Sequence, residues 1–178
     1  SLRNPVNLAV ATWSWGNYYG DAKMKGAKLD VAKWQRPDPK TAPFEAKAAG
    51  LYMIATMSKH TAEANGCSDA MMMDYRGYVA EATGANIFFV KDGEVHTPTP
   101  DAFLNGLTRQ TVIEMLTKMG VKVHERHILP GELEDFSQCW LTGSAAEITP
   151  VGQIGNYNFE VGELTQAVSK NYEQLVRE

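Results

Sequence analysis

"DAMMMDYRGYVAEATGANIFFVKDGEVHTP", residues 69–98, is the stretch on which the fold turns. Within it, "DAMMMDY", "GYVAEAT" and "ANIFFVK" are short, rich in strand-forming residues and separated by turn formers, which predicts three strands. "DYRG" at 74–77 supplies one turn. "KDGE" at 91–94 supplies another, and Asp92-Gly93 is a strong hairpin pair because both positions can take positive φ. "EVHTP" adds a fourth strand, ended by Pro98 and Pro100. Together these form an antiparallel strand meander.

Working outward, the period changes. Upstream, Leu51 to Asn65 predicts a helix with Leu51, Ile54, Ala55 and Ala62 on its apolar side and Gly66 as its stop. Downstream, "LNGLTRQTVIEMLTKMG" at 104–120 predicts a helix with Thr108 as N-cap, Val112, Ile113 and Leu116 on one face, and Gly120 closing it. A strand ("VKVHERHIL"), a short helical turn ("PGELEDF") and another strand ("QCWLTG") lead into "SAAEITPV". A last helix starts near Glu163, with Leu164, Val168, Tyr172 and Leu175 on one side. Nearer the start, "VNLAVATWSW" (6–15) predicts a strand. "AKLDVAKWQRP" predicts a second, half-buried through Leu29, Val31 and Trp34, that runs into the loop "RPDPKTAP". Strands in blocks rather than in strict βαβ alternation place the chain in the α+β (mixed α/β) class, a meander or pseudo-barrel with surrounding helices.

The totals narrow the function. The 178 residues suit one domain, and 44% apolar content is enough for a core. A net charge of −4 and no basic run argue against a nucleic-acid surface. No apolar run approaches the ~20 residues of a membrane span. Cys67 and Cys139 form no disulfide framework or metal spacing, which fits a reduced, cytoplasmic setting. On a strand, His124 and His127 fall on opposite faces, and no carboxylate–His or Cys–His cluster accompanies them, so no metal is expected. Met71 to Met73 are packing residues.

Four places could hold chemistry. "PFEAKAAGLYM" at 43–53 sets Lys47 among alanines and a glycine, where a chain built for close packing carries one long cation. "LNGLTRQT" is either an ordinary capped helix start or a phosphate seat, because the first amides of a helix lack partners and carry the positive end of its dipole. "LTGSAAEITP" is either a tight turn or a second anion seat, with small residues leaving amides open and the Ser144 hydroxyl adding a bond. Glu81, between Ala80 and Ala82, is either on an exposed strand face or a buried acid facing a cation. In combination they supply what a pyridoxal phosphate enzyme requires: an imine-forming lysine, an acid for the pyridine nitrogen, and seats for a phosphate and a carboxylate.

From Glu81 to Arg109, "EATGANIFFVKDGEVHTPTPDAFLNGLTR" resembles the signature of class IV (fold type IV) pyridoxal-phosphate aminotransferases. The pattern is the acid, Thr83, "NIF" at 86–88, Val95 and Thr97, then Leu104, Gly106, Leu107 and Arg109. "WSWGNYYG" at 13–20, "PFEAKAAGLY" at 43–52 and "TGSAAEITPV" at 142–151 are similar to strings of the branched-chain amino-acid subgroup. The similarity runs over nearly the whole chain and covers the large cofactor-binding domain of such enzymes. It implies one domain over 1–178, with opening strands and loop at 1–42, a catalytic core at 43–178, and the family's small N-terminal domain absent.

The resemblance also assigns roles. Lys47 would form the Schiff base, its small neighbours letting the cofactor pack against the backbone and desolvation lowering its pKa. Tyr52 would bond the cofactor's 3′-oxygen, Glu81 would pair with the ring nitrogen, and Leu104 would lie against the ring. The amides of Leu107 and Thr108, with the Ser144 hydroxyl, would hold the phosphate. The backbone of Ser144, Ala145 and Ala146 would meet the substrate carboxylate. The implied reaction moves an amino group between leucine, isoleucine or valine and 2-oxoglutarate, in a homodimer or higher homo-oligomer. Without the family's phosphate-binding arginine and pocket-closing residues, which belong to the small domain, the chain alone would turn over poorly. A D-amino-acid or (R)-amine transaminase, or an aminodeoxychorismate lyase, would share Lys47 and Glu81. A folded fragment that only binds a partner or dimerises is the alternative from another class.

Overall fold

The computed structural model describes residues 4–14 and 25–177. Nine strands form one mixed sheet in the order β3-β2-β1-β8-β7-β4-β5-β6, with β9 paired to β8. The strands are β1 (Ala27–Val31), β2 (Asp69–Met73), β3 (Val79–Ala82), β4 (Asn86–Lys91), β5 (Glu94–Pro98), β6 (Val123–Arg126), β7 (Gln138–Gly143), β8 (Glu147–Ile154) and β9 (Tyr157–Asn158). Among the described residues, three α-helices pack around it, α1 (Ala49–Ala64), α2 (Leu107–Lys118) and α3 (Glu163–Arg177), with the expected short helical turn at Pro130–Asp135.

The mixed class and the curled sheet agree with the sequence, but the continuous meander does not. Both hairpins form: β2 pairs antiparallel with β3, and β4 with β5 around Asp92 (φ 53°) and Gly93 (φ 75°). Between them, however, β1, β8 and β7 are inserted, and β1 runs parallel to both β2 and β8. The physical reason is the short "TGA" link at 83–85. It turns the chain sharply, with the Ala82 amide donating to the Ala85 carbonyl at 2.8 Å, and sends β4 off to pair with β7 instead of β3. The sheet then curls, and the Val79 amide reaches the Ile128 carbonyl just beyond β6 at 2.9 Å.

Curling gives most strands two covered faces. Ile87, Phe89, Cys139, Leu141 and Leu29 point into the curl, while Phe88, Val90 and Trp140 pack outward under α2 and α3 with Val112, Leu116, Val168 and Tyr172. That is why "NIFFV" is apolar without alternation. Phe88 and Trp140 are register partners on β4 and β7 and stack at 5.5 Å. Met72 and Ala70 face the small residues Ala55 and Ala62 of α1, so this helix lies close on the sheet. Met71 is buried in the curl, and Met71 and Met72 pack as expected.

Three local expectations change. No strand forms over 6–14; Val6, Leu8 and Val10 are exposed, and Trp15, with the rest of "WSWGNYYG" after it, lies outside the described residues. Side-chain type favours a strand there, but a strand exists only where its backbone finds a ladder, and no strand of the sheet pairs with this segment. In β1, Ala27 and Leu29 are buried, whereas Val31 at the strand's end and Trp34 beyond it are exposed. The N-cap of α2 is Gly106, not Thr108, and no side chain caps it. Among the described residues, no helix is long and apolar enough to cross a membrane.

Candidate functional site

The site lies where strand ends and two helix starts converge. A cavity of about 350 Å³ is lined by Arg36, Lys47, Tyr52, Glu81, Asn86, and the residues from Leu104 to Thr108, among others. A second cavity of about 380 Å³ continues from it past Lys47 and Tyr52 to Ser144, Ala145 and Ala146. Every site residue expected from the sequence therefore lines one or both of these connected spaces. The position of each follows from its element. Glu81 is near the end of β3, Asn86 opens β4, Ser144 to Ala146 form the β7–β8 turn, Lys47 lies just before the N-cap Ala48 of α1, and Tyr52 sits in the first turn of that helix.

Glu81 is a buried acid, with 8% of its surface exposed. Burial pushes its carboxyl up to about 8, against the pull of the Arg36 and Lys47 cations. Arg36 Nε lies 3.3 Å from Oε1, yet it has no hydrogen-bond partner, so the pair attracts without the directional bond that would keep the acid ionised. Asn86 Nδ2 donates to Glu81 Oε2 at 3.2 Å. Tyr52 is half-buried, and desolvation followed by the nearby Glu81 raises its phenol pKa. It stays protonated at neutral pH, able to donate to an oxygen in the cavity.

The anion seats have a physical basis. Gly106 is extended (φ −61°, ψ 145°) and α2 begins at Leu107, so amides at the positive end of a helix dipole line the cavity with no side-chain cap competing for them. Leu107 leaves its side chain 79% exposed, which fits a contribution through its backbone. Thr108 contributes little as a cap; its hydroxyl lies 3.5 Å from Tyr172 Oη on α3. Across the cavity, the Thr142 hydroxyl is buried without a partner, beside Gly143 and Ser144. A buried orphan hydroxyl at the wall of a polar cavity is what a bound oxyanion would satisfy. The residues present therefore fit a flat, phosphate-bearing ring with an aldehyde: a donor set at one end, an acid at the other, and an amine and a phenol between.

Lys47 differs from expectation. It is exposed, as are Ala46, Ala48, Ala49 and Gly50, so this small-residue stretch is not a packed core and the lysine is not desolvated. It sits on a loop at the open side of the cavity, where no described residue covers it.

Arg36, Asn86 and Thr142 escape the sequence reading. Arg36 is only 5% exposed, and its burial between Trp34 and Pro37 leaves no periodic signal. Asn86 is visible as the start of "NIF", without a role. Arg109, at the end of the pattern, is structural: it is 1% exposed and donates to Asn105 Oδ1, the Pro98 carbonyl and Glu125 Oε2 at 2.7–2.9 Å.

The histidines need a correction as well. His124 and His127 do diverge, His127 stacking on Tyr78 and meeting Asp101 at 2.9 Å. But His124 does have a carboxylate–His cluster, with Glu94 and His96. The parallel β5–β6 register, which places His96 opposite His124, brings it together. Its ligand atoms are already engaged: His124 Nε2 meets Glu94 Oε2 at 2.5 Å, Lys122 Nζ sits 3.2 Å from Oε1, and Arg126 Nε donates to His96 Nδ1 at 3.1 Å. Two cations, Lys122 and Arg126, already pair with these groups.

Comparison with known proteins bears on the family and the fold. The family model for amino-transferase class IV matches residues 3–154. A probable branched-chain-amino-acid aminotransferase of Rickettsia felis is 40% identical over 158 residues, covering 86% of this chain and 54% of that protein. The branched-chain aminotransferase of Thermoproteus uzoniensis, solved with norvaline, superposes with a TM-score of 0.88 at 34% identity, covering 93% of this chain and 55% of that one. A T.th. branched-chain amino acid aminotransferase, solved with N-(5′-phosphopyridoxyl)-L-glutamate, gives 0.82 at 32% identity, covering 85% and 52%. The chain spans about half the length of the relatives it matches.

Proposed function

The chain belongs to the class IV aminotransferases, and on that footing we propose that its cavity binds pyridoxal 5′-phosphate through Lys47 and serves amino-group transfer between branched-chain amino acids and 2-oxoglutarate. One observation carries the reading: a buried acid, an amine, a phenol and a helix N-terminus converge on one cavity of about 350 Å³. The relatives named for branched-chain substrates, and the neighbour solved with a phosphopyridoxyl-glutamate, support the choice of substrates. When bound, the cofactor supplies an electron sink for the bond broken at the substrate's α-carbon.

The chain's own residues do the rest. Lys47 Nζ would anchor the cofactor and, when its amine is free, would take the proton from the substrate's α-carbon as a general base. Its open position suits this role, since the amine must swing between anchor and base. Glu81 would face the ring nitrogen. Burial raises its pKa, so it would hold a proton and present it to that nitrogen, and the hydrogen bond would draw electron density from the ring. Tyr52 would donate its phenolic hydrogen to the 3′-oxygen, and Leu104 would lie against the ring. The amides of Leu107 and Thr108, with the Ser144 and orphan Thr142 hydroxyls, hold the phosphate. The turn amides of Ser144, Ala145 and Ala146 receive the substrate carboxylate.

The same reading takes 1–178 as the cofactor-binding domain of a two-domain, oligomeric enzyme. It places that enzyme in the cytoplasm, consistent with both cysteines being free thiols. The test is to add pyridoxal phosphate to the protein, reduce with borohydride and map the label. Pyridoxyl-Lys47, with leucine- and 2-oxoglutarate-dependent turnover in the oligomeric enzyme, is expected. A label on another lysine would end the assignment.

A further inference from the structure

Asn86 is 5% exposed and spends its whole side-chain amide inside the site. Nδ2 donates to Glu81 Oε2 at 3.2 Å and to the Leu104 carbonyl at 2.9 Å, while Oδ1 accepts from the Gly106 amide at 3.2 Å. The orientation is forced. The Leu104 carbonyl can only accept and the Gly106 amide can only donate, so flipping the amide would set two acceptors, and two donors, against each other. The neighbouring glycine fits the same bond. A Cβ on Gly106 would sit 2.5 Å from Asn86 Oδ1, although the Gly106 backbone (φ −61°) is one that any residue can adopt. Glycine is needed here to let the amide in, rather than for its backbone freedom.

One side chain thus touches the acid at one end of the cavity and the loop that aims the first turn of α2 at the other. From this we infer that Asn86 is a positioning residue that couples the two ends of the cofactor seat, setting the acid for the ring nitrogen and the helix amides for the phosphate from a single amide. The inference rests on the cofactor reading above. Asn86 itself need not touch the cofactor. It acts through Glu81 and through the Leu104–Gly106 loop, so loosening it disturbs both ends together. A residue that merely filled space would disturb neither selectively.

The test compares pyridoxal 5′-phosphate with pyridoxal, which lacks the phosphate, in the unsubstituted protein, Asn86→Ala and Gly106→Ala. Visible absorbance gives the two dissociation constants, and their ratio measures what the phosphate contributes. The pH at which the visible band of bound pyridoxal changes is that of the imine nitrogen, and it shifts through the conjugated ring when the charge at the ring-nitrogen end changes. In Asn86→Ala the ratio is expected to fall about tenfold, as for one lost hydrogen bond to a charged group, and the band's titration to shift as well. Gly106→Ala keeps Asn86 but pushes its Oδ1 away, and moves both readouts in the same directions. It remains informative if the buried Asn86→Ala change prevents folding. Folded variants in which both ligands weaken equally, with ratio and titration unmoved, would overturn the coupling. If the unsubstituted protein develops no band with either ligand, the cofactor reading beneath it fails instead.

Discussion

Replacing Glu81 with glutamine should stabilise the cofactor-free protein, and only above a defined pH. The carboxyl titrates at about 8 in the folded chain against 4.5 for the unperturbed group. Between those values the folded state holds a proton that the unfolded state has released. The favourable contribution is complete below about pH 4.5 and is lost as pH rises toward 8. At about 1.36 kcal/mol per pH unit, a window of about 3.5 units corresponds to roughly 5 kcal/mol, a large share of the ~5–15 kcal/mol typical of a whole domain. Glutamine cannot ionise and still offers Asn86 an acceptor oxygen, so Glu81→Gln removes the pH-dependent cost while keeping the 3.2 Å contact's chemistry. Urea unfolding at intervals between about pH 5 and pH 9 is the assay. The difference between variant and parent should already be opening near pH 5, grow by about 1.4 kcal/mol per pH unit above it, and level off above about pH 8. Other titrating groups are common to both proteins and cancel in the difference. A difference that stays flat across the window, or that favours the parent as pH rises, would refute the claim that burial outweighs Arg36 at this acid.

Two further outcomes are expected. Tyr52→Phe removes the phenol that burial keeps protonated; it should weaken pyridoxal phosphate binding about tenfold, the value of a hydrogen bond of roughly 1.4 kcal/mol, and an unchanged dissociation constant in a spectroscopic titration would remove Tyr52 from the seat. Arg109→Ala takes away three donated bonds at a 1% exposed position and should cost about 2–4 kcal/mol in urea unfolding, given that charge-assisted bonds contribute about 1.5–3 kcal/mol each and that Glu125 stays half in water. A loss below about 1 kcal/mol would show that the guanidinium is not a structural tie.

Elements that rest on local chemistry can be read from the residues alone. Asp92-Gly93 makes a hairpin because two positive φ angles are tolerated there, Gly66 and Gly120 end helices for the same reason, and the spacing from Glu81 to Arg109 marks the site. Pairing cannot be read that way. Nothing local in Ala82 or Asn86 says that three other strands lie between their hairpins in the sheet, because a ladder partner is chosen by which faces can be buried together across the whole chain. The same limit explains the strand expected at 6–15, where the composition favours a strand and the sheet offers no partner to residues 6–14. Burial is equally a tertiary quantity. Lys47 and Glu81 have the same small neighbours in sequence, yet one ends exposed on a loop and the other buried at a strand end. The surroundings of the acid come from segments distant in the chain, Arg36 foremost among them. Folding of the sheet brings those segments within reach of Glu81 and, through Asn86, ties the acid to the start of α2.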